Sequence, residues 1–176
     1  MRALLSILIL SFLIQACSQA KKDDEFVWMI ENLRKENLLT TKTYPEKTFV
    51  GSLTGYYDKG TLVLMNSLTD AEEAGTETSY YIKDGRLTKV YIMDAKFDSH
   101  AEWAAYFRKH QAAEDCDFCH GTKNCTVTVV NFDEEPTVEV TKDGQSRILT
   151  GNERTGILSE TSKTSEELTV LLRELK

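Results

Sequence analysis

The chain has 176 residues, of which 41% are hydrophobic and 28% are charged, and its formal net charge is −7. An acidic surplus is repelled by phosphates, so this balance argues against a nucleic-acid-binding protein. The hydrophobic fraction is too high for a disordered chain, and the length suits one domain with a buried core. No low-complexity linker divides the sequence.

Residues 1–16 have the pattern of a secretory signal. Arg2 gives a positively charged start, and the apolar run that follows is too short to remain as a membrane-spanning helix. Cleavage would remove Arg2, the one charged residue of this segment, and leave a more acidic chain. We therefore predict a signal peptide at 1–16, an acidic tether at 17–24 and a single domain at 25–176.

The cleavage region, Ile14-Gln15-Ala16-Cys17, resembles the lipobox of bacterial lipoproteins. In that class the cysteine receives a diacylglycerol, the signal is cut before it, and the new amino terminus is usually acylated, for example with palmitate. The resemblance implies that Cys17 is the lipidation site and that lipid tethers a soluble body to a membrane. Each buried methylene contributes about 0.8 kcal/mol, so such chains form a firm anchor. An ordinary secretory signal with an unrelated cysteine is the alternative.

The residues after Cys17 indicate where in the cell the protein is located. Ser18, in place of Asp, resembles the outer-membrane sorting signal of Gram-negative lipoproteins. The run KKDDE at 21–25 resembles the surface-export signal of Bacteroidota lipoproteins. The implied location is an outer-membrane lipid anchor, with the body on the periplasmic or the cell-surface side. The run is equally compatible with a solvated tether before a helix, because acidic side chains favour a helix N-terminus.

Apolar residues at helical spacing predict a first helix from about Asp24 to Thr40. Four strands should follow, since four segments are rich in β-branched and aromatic residues and are separated by turn residues. These segments are TFVGSLTGYY, GTLVLMNSL, TETSYYIKD and GRLTKVYIMD. Tight hairpins are predicted at 58–60 and 83–85, where a glycine can adopt a positive φ.

In the second half, a capping box at Ser99–Glu102 predicts a middle helix at about 99–114. The segments CTVTVVNF and PTVEVTKDGQSRIL then predict three or four strands, with a hairpin at 142–144. A last helix is predicted from Thr164, with an apolar stripe of Leu168, Leu171, Leu172 and Leu175. This order predicts an α+β fold: an antiparallel β-meander sheet with an N-terminal, a middle and a C-terminal helix packed on one face.

Three of the four cysteines lie in the stretch CDFCHGTKNC, residues 116–125. Exported proteins oxidise their thiols, so the first hypothesis is a disulfide that joins Cys125 to Cys116 or to Cys119. Either pairing closes a short loop and should contribute about 2–3 kcal/mol at most. One of these three thiols is then left over, because lipid takes Cys17.

Cys116, Cys119 and His120 also form the pattern C-x-x-C-H, which resembles the haem c attachment site of mono-haem cytochromes. The resemblance implies thioether bonds to both cysteines and His120 as an iron ligand. The chain departs from that family, because no Met or His follows His120 and the downstream segments are strand-rich. A zinc site is disfavoured because Cys119 and His120 are neighbours. A thioredoxin-like pair is disfavoured because the motif would follow a helix rather than open one.

The sequence contains no P-loop, dinucleotide fingerprint, H-E-x-x-H or G-x-S-x-G motif. We therefore predict no catalytic residue, no metal and no other cofactor. The tyrosine pairs at 56–57 and 80–81 are expected to turn one ring each to solvent, where such rings could bind glycan or protein. The leading hypothesis is a non-catalytic binding or accessory subunit of the bacterial envelope, with an envelope protein or a glycan as partner. The alternative is a membrane-tethered mono-haem electron carrier.

Overall fold

One antiparallel sheet contains all eight strands within the residues that the computed structural model describes, which are 25–44, 51–71, 74–96 and 125–174. Each strand pairs with the next one along the chain. Helix α1 (residues 25–35) precedes the sheet, and helix α2 (Gly151–Glu174) follows it. The strands are β1 (Thr40–Tyr44), β2 (Ser52–Asp58), β3 (Thr61–Ala71), β4 (Ala74–Lys83), β5 (Arg86–Lys96), β6 (Cys125–Asn131), β7 (Thr137–Lys142) and β8 (Gln145–Ile148).

This architecture confirms the predicted α+β class, the antiparallel meander and the two terminal helices. The middle helix predicted at about 99–114 lies outside the described residues.

The three predicted hairpin turns are confirmed, and each has two central residues with positive φ. Such turns match the right-handed twist of the strands that they join. Their central residues are Lys59 and Gly60 (49° and 84°), Asp84 and Gly85 (52° and 74°), and Asp143 and Gly144 (52° and 75°).

The first helix ends earlier than predicted. Asn37 has a φ of 55°, and the amide of Leu38 donates to the carbonyl of Leu33 at 2.9 Å while that of Asn37 donates to Arg34 at 3.0 Å. This pair of hydrogen bonds around a left-handed residue is a Schellman motif, which ends a helix. The prediction of a helix to Thr40 is therefore wrong, because Thr40 already begins β1.

The last helix begins earlier than predicted, at Gly151 rather than at Thr164. Its buried stripe runs through Thr161, Ser165, Leu168 and Leu172. The hydroxyl residues that continue the stripe towards the N-terminus gave no apolar periodicity, which explains the error. Leu171 is half-buried beside the stripe, and Leu175 lies outside the described residues.

The two helices cover opposite faces of the sheet, so the prediction that the helices share one face is wrong. Leu64 packs with Ile30 of α1, whereas its neighbour Met65 packs with Leu168 and Leu172 of α2. Successive strand residues point to opposite faces. A strand that buries both Leu64 and Met65 therefore needs cover on both sides.

Two β-bulges set the register of the central strands. Val63 is an extra residue between the pairs Tyr56–Leu64 and Tyr57–Leu62, and Thr88 is extra in the β4–β5 pair. The Thr88 hydroxyl donates to the carbonyl of Tyr81 at 3.1 Å. Each bulge displaces the pairing beyond it by one residue, and so decides which side chains lie opposite each other.

The glycine before β2 should be irreplaceable. Gly51 has a φ of 117°, and a Cβ there would lie 1.8 Å from the carbonyl oxygen of Leu68. We expect Gly51→Ala to lower the free energy of unfolding by about 3 kcal/mol or more, because the backbone must move. Urea unfolding followed by circular dichroism measures this loss.

Gly60→Ala is the matched control, since Gly60 also has a positive φ but its Cβ would meet nothing within 4 Å. We expect it to cost about 1 kcal/mol, which is the conformational penalty alone. Equal losses in the two variants would show that the contact with Leu68 does not matter.

Candidate functional site

The sheet face beneath α2 changes from apolar to hydroxyl-bearing along its strands. One cross-strand row is mainly aliphatic: Met65, Tyr80, Val90, Val130 and Val138. The next row on the same face is Ser67, Thr78, Ile92 and Thr128, and the one beyond is Thr69, Thr76, Asp94 and Thr126. The hydroxyl rows lie at the end of the sheet where β5 stops and β6 starts.

A cleft of about 620 Å³ separates α2 from these hydroxyl rows, of which Thr126 alone lies outside the described lining. The helix contributes Glu160, Thr161, Thr164 and Glu167 to its wall, together with aliphatic side chains. Serine and threonine are too short to fill the space between a helix and a sheet, whereas the aliphatic row nearby is close-packed. The small side chains on both walls therefore explain why the cleft is open.

Tyr80 closes the inner end of the cleft. Its side chain is 4% exposed, and its hydroxyl hydrogen-bonds with those of Ser67 and Thr78. Burial raises the pKa of Tyr80 above the ordinary value of 10.0. The two hydrogen bonds lower this pKa, and the nearby negative charge of Glu160 raises it. Tyr80 is thus held as a neutral phenol at the floor of the site.

Three carboxylates line the outer part of the cleft. Asp94 accepts a hydrogen bond of 2.6 Å from the Thr76 hydroxyl. Glu167 lies 3.8 Å from the ammonium of Lys163, one turn away on the exposed side of α2. Glu160 has no ion pair with any residue of the described chain. The described lining includes no lysine or arginine, so the charge within it is negative.

Two buried hydroxyls in the lining lack a hydrogen-bond partner among the described residues. Thr128 of β6 is 7% exposed and Thr161 of α2 is 5% exposed. An unsatisfied buried hydroxyl costs about 1–3 kcal/mol. Both side chains line the cleft, so water or a ligand within it is the natural partner for them.

A smaller cavity of about 280 Å³ lies on the other face, between α1 and the sheet. Two of its polar side chains, Tyr81 and Glu31, are already paired. The Tyr81 hydroxyl donates to Glu31 at 2.7 Å, and Arg34 lies 2.7 Å from the same carboxylate. The ring of Tyr81 packs edge-on against Tyr91. These contacts are those of a packed interior, so the α2 side is the better candidate.

The tyrosine pairs do not form the outward surface that the alternation predicted. Tyr80 and Tyr81 are both 4% exposed, because each face of the sheet carries a helix. Tyr56 and Tyr57 are half-buried, and cationic side chains, those of Arg34 and Lys42, cover their rings. The prediction of one solvent-facing ring in each pair is therefore wrong for Tyr80 and Tyr81.

Of the residues predicted from the sequence as sites, the structure describes Cys125. It is the first residue of β6, lies opposite Ala95 and is disulfide-bonded. Cys17, Cys116, Cys119 and His120 lie outside the described residues, so the pairing stays a prediction.

The hydroxyl-lined cleft was not predicted from the sequence. Its signal is a serine or threonine at every second position of adjacent strands, as at Ser67 and Thr69 of β3 and Thr76 and Thr78 of β4. Such alternation places hydroxyls on one face.

No protein-family model, curated protein or solved structure matches this chain. The described residues contain no group of three or more His, Cys, Asp or Glu side chains that could hold a metal ion. Neither of the described helices is both long enough and apolar enough to cross a membrane.

The buried phenol predicts how stability depends on pH. A raised pKa means that the folded state keeps the Tyr80 proton at a pH where the unfolded chain loses it. The stabilisation is therefore complete below about pH 10 and is lost as the pH rises through the raised value. Tyr80→Phe should flatten the fall in unfolding free energy above about pH 10.

At neutral pH the same variant should be about 1 kcal/mol less stable, because Ser67 and Thr78 lose a hydrogen-bond partner. Urea unfolding at each pH measures both effects. Tyr44→Phe, which removes a tyrosine hydroxyl outside the cleft, is the control. A slope that stays unchanged in Tyr80→Phe would contradict this account.

Proposed function

We propose that the chain is a lipid-anchored lipoprotein of the bacterial cell envelope, whose α+β body binds a ligand or partner without catalysing a reaction. The observation that carries the binding role is the cleft beneath α2, in which the buried hydroxyls of Thr128 and Thr161 lack protein partners. Ligand sites are concave, have volumes of this order and present a few polar groups among apolar ones.

The anchor is argued from the sequence Ile14-Gln15-Ala16-Cys17, which matches a lipobox. Lipid on Cys17 would attach an acidic body to a surface that its charge does not attract. The tether at 17–24 can span at most about 28 Å when fully extended, so the body would stay close to the membrane. The outer membrane is the proposed location, with the body in the periplasm or at the cell surface.

We also propose a third helix, at about 99–114, in addition to α1 and α2. The pattern Ser99-His100-Ala101-Glu102 supports a capping box, and Trp103, Tyr106 and Phe107 follow at helical spacing. This helix would connect β5 to β6.

The disulfide at Cys125 bears on whether a lipid-anchored chain could also carry haem c. The other cysteines are Cys17, Cys116 and Cys119. Haem c would occupy both Cys116 and Cys119, which would leave only Cys17 to pair with Cys125. Cys17 cannot carry both a lipid and a disulfide. The Cys125 disulfide therefore supports a lipoprotein without haem over a lipid-tethered electron carrier.

The anchor is tested by replacing its attachment point. We expect Cys17→Ala to abolish incorporation of radiolabelled palmitate and to move the protein from the membrane fraction to the soluble fraction of lysed cells. The reason is that the thioether cannot form and no other strong membrane contact is proposed.

Ser18→Ala is the matched control, because it changes the neighbouring residue and leaves the thiol in place. It should stay labelled and membrane-bound. If Cys17→Ala remains in the membrane fraction, the proposed anchor is wrong.

A further inference from the structure

The cleft beneath α2 has a lining that discriminates between ligand classes. Its described side chains present eight hydroxyls, and each hydroxyl can both donate and accept a hydrogen bond. These are Ser67, Thr69, Thr76, Thr78, Tyr80, Thr128, Thr161 and Thr164. A purely apolar ligand, such as a fatty acyl chain, would leave the buried hydroxyls unpaired. A ligand that itself carries many hydroxyls would satisfy them.

The charges of the cleft favour some ligands over others. Asp94, Glu160 and Glu167 line it, the described part of the lining includes no cationic side chain, and Lys163 outside this lining pairs with Glu167. A phosphate or carboxylate ligand would be repelled, whereas an amine would be attracted. Glu160 is the best placed of the three for an amine, because it has no ion pair with a described residue and acts electrostatically on Tyr80.

The cleft also has an apolar wall. Ile92 of the sheet and Ile157, Leu168 and Leu171 of α2 contribute aliphatic surface to it. A sugar ring has one edge of hydroxyls and an apolar face of C–H groups, and it can therefore contact both kinds of wall. The volume of about 620 Å³ lies within the range of small-molecule sites and would admit more than a single small ion.

We infer that this cleft binds a short saccharide that carries free amines, in which the ring hydroxyls pair with Thr128 and Thr161 and an ammonium group lies against Glu160. The inference deepens the proposed binding function and rests on it. It names the ligand class that the lining fits, and it does not depend on the lipid anchor.

The test uses the full mature protein in a polyoxyethylene detergent, since detergents with sugar head groups would compete. Isothermal titration calorimetry compares three disaccharides of similar size. These are chitobiose with both amines free, its N,N′-diacetyl form, and an anionic digalacturonate. We expect chitobiose to bind about tenfold more tightly than the diacetyl form, and digalacturonate to show no binding.

Two variants locate the site. Thr128→Val and Thr161→Val keep the branched shape but remove the hydroxyl, and each should weaken chitobiose binding about tenfold. Neither should unfold the protein, because each removes an unpaired buried hydroxyl, and thermal unfolding should show an unchanged or raised Tm. Thr126→Val is the matched control. It changes the same strand and the same face but lies outside the described cleft lining, and it should bind as the parent does.

A variant that removes the charge of Glu160 separates the contribution of the ligand's amine to binding from that of the hydroxyl contacts. Glu160→Gln should weaken chitobiose binding about fivefold and leave the diacetyl form unaffected. The inference is overturned if chitobiose does not bind, if digalacturonate binds more tightly, or if both threonine variants bind as the parent does. If membrane attachment still depends on Cys17, such a result would contradict the proposed ligand class and leave the proposed anchor standing. Loss of that dependence would instead remove the proposed anchor.

Discussion

The C-terminal helix packs on the sheet through aliphatic side chains, and the cleft lies where both the helix and the strands carry short hydroxyl side chains instead. Near its C-terminus Leu172 packs directly over Gly55, where an added Cβ would come within 2.8 Å of a Leu172 methyl group. Towards its N-terminus the buried stripe changes to Ser165 and Thr161, and Thr161 lines the cleft opposite the hydroxyl rows of the strands. Aliphatic packing therefore fixes the helix on the sheet, and the short polar side chains leave the space of the cleft.

The individual helices, strands and turns of this fold were better predicted from the sequence than the way they pair and pack. The hairpin turns followed from glycine and its neighbours, because a two-residue turn has a local chemical signature. The end of α1 was missed because Asn37, rather than a glycine, adopts the left-handed conformation. The cleft was missed because the extra residue Thr88 displaces the β4–β5 pairing by one position and so sets which β5 side chains lie opposite Thr76 and Thr78. A bulge has no comparable signature in a single sequence.

The proposed function combines two regions of the chain that do different work. The segment around Cys17 would supply attachment, and the cleft beneath α2 would supply binding. The disulfide at Cys125 links the two arguments, because the number of cysteines does not allow lipid, haem and this disulfide together. It lies at the start of β6, the strand that also carries Thr128. A covalent bond there would hold the entry of β6, and so one wall of the cleft, in place.

The intact mass of the native mature protein, extracted from membranes, tests the account most directly. We predict a polypeptide that begins at Cys17 and carries a diacylglycerol and an amide-linked acyl chain. Its mass should be two hydrogens below that of the fully reduced form, because it contains one disulfide. A polypeptide of unmodified mass, or one heavier by a single haem, would contradict the account.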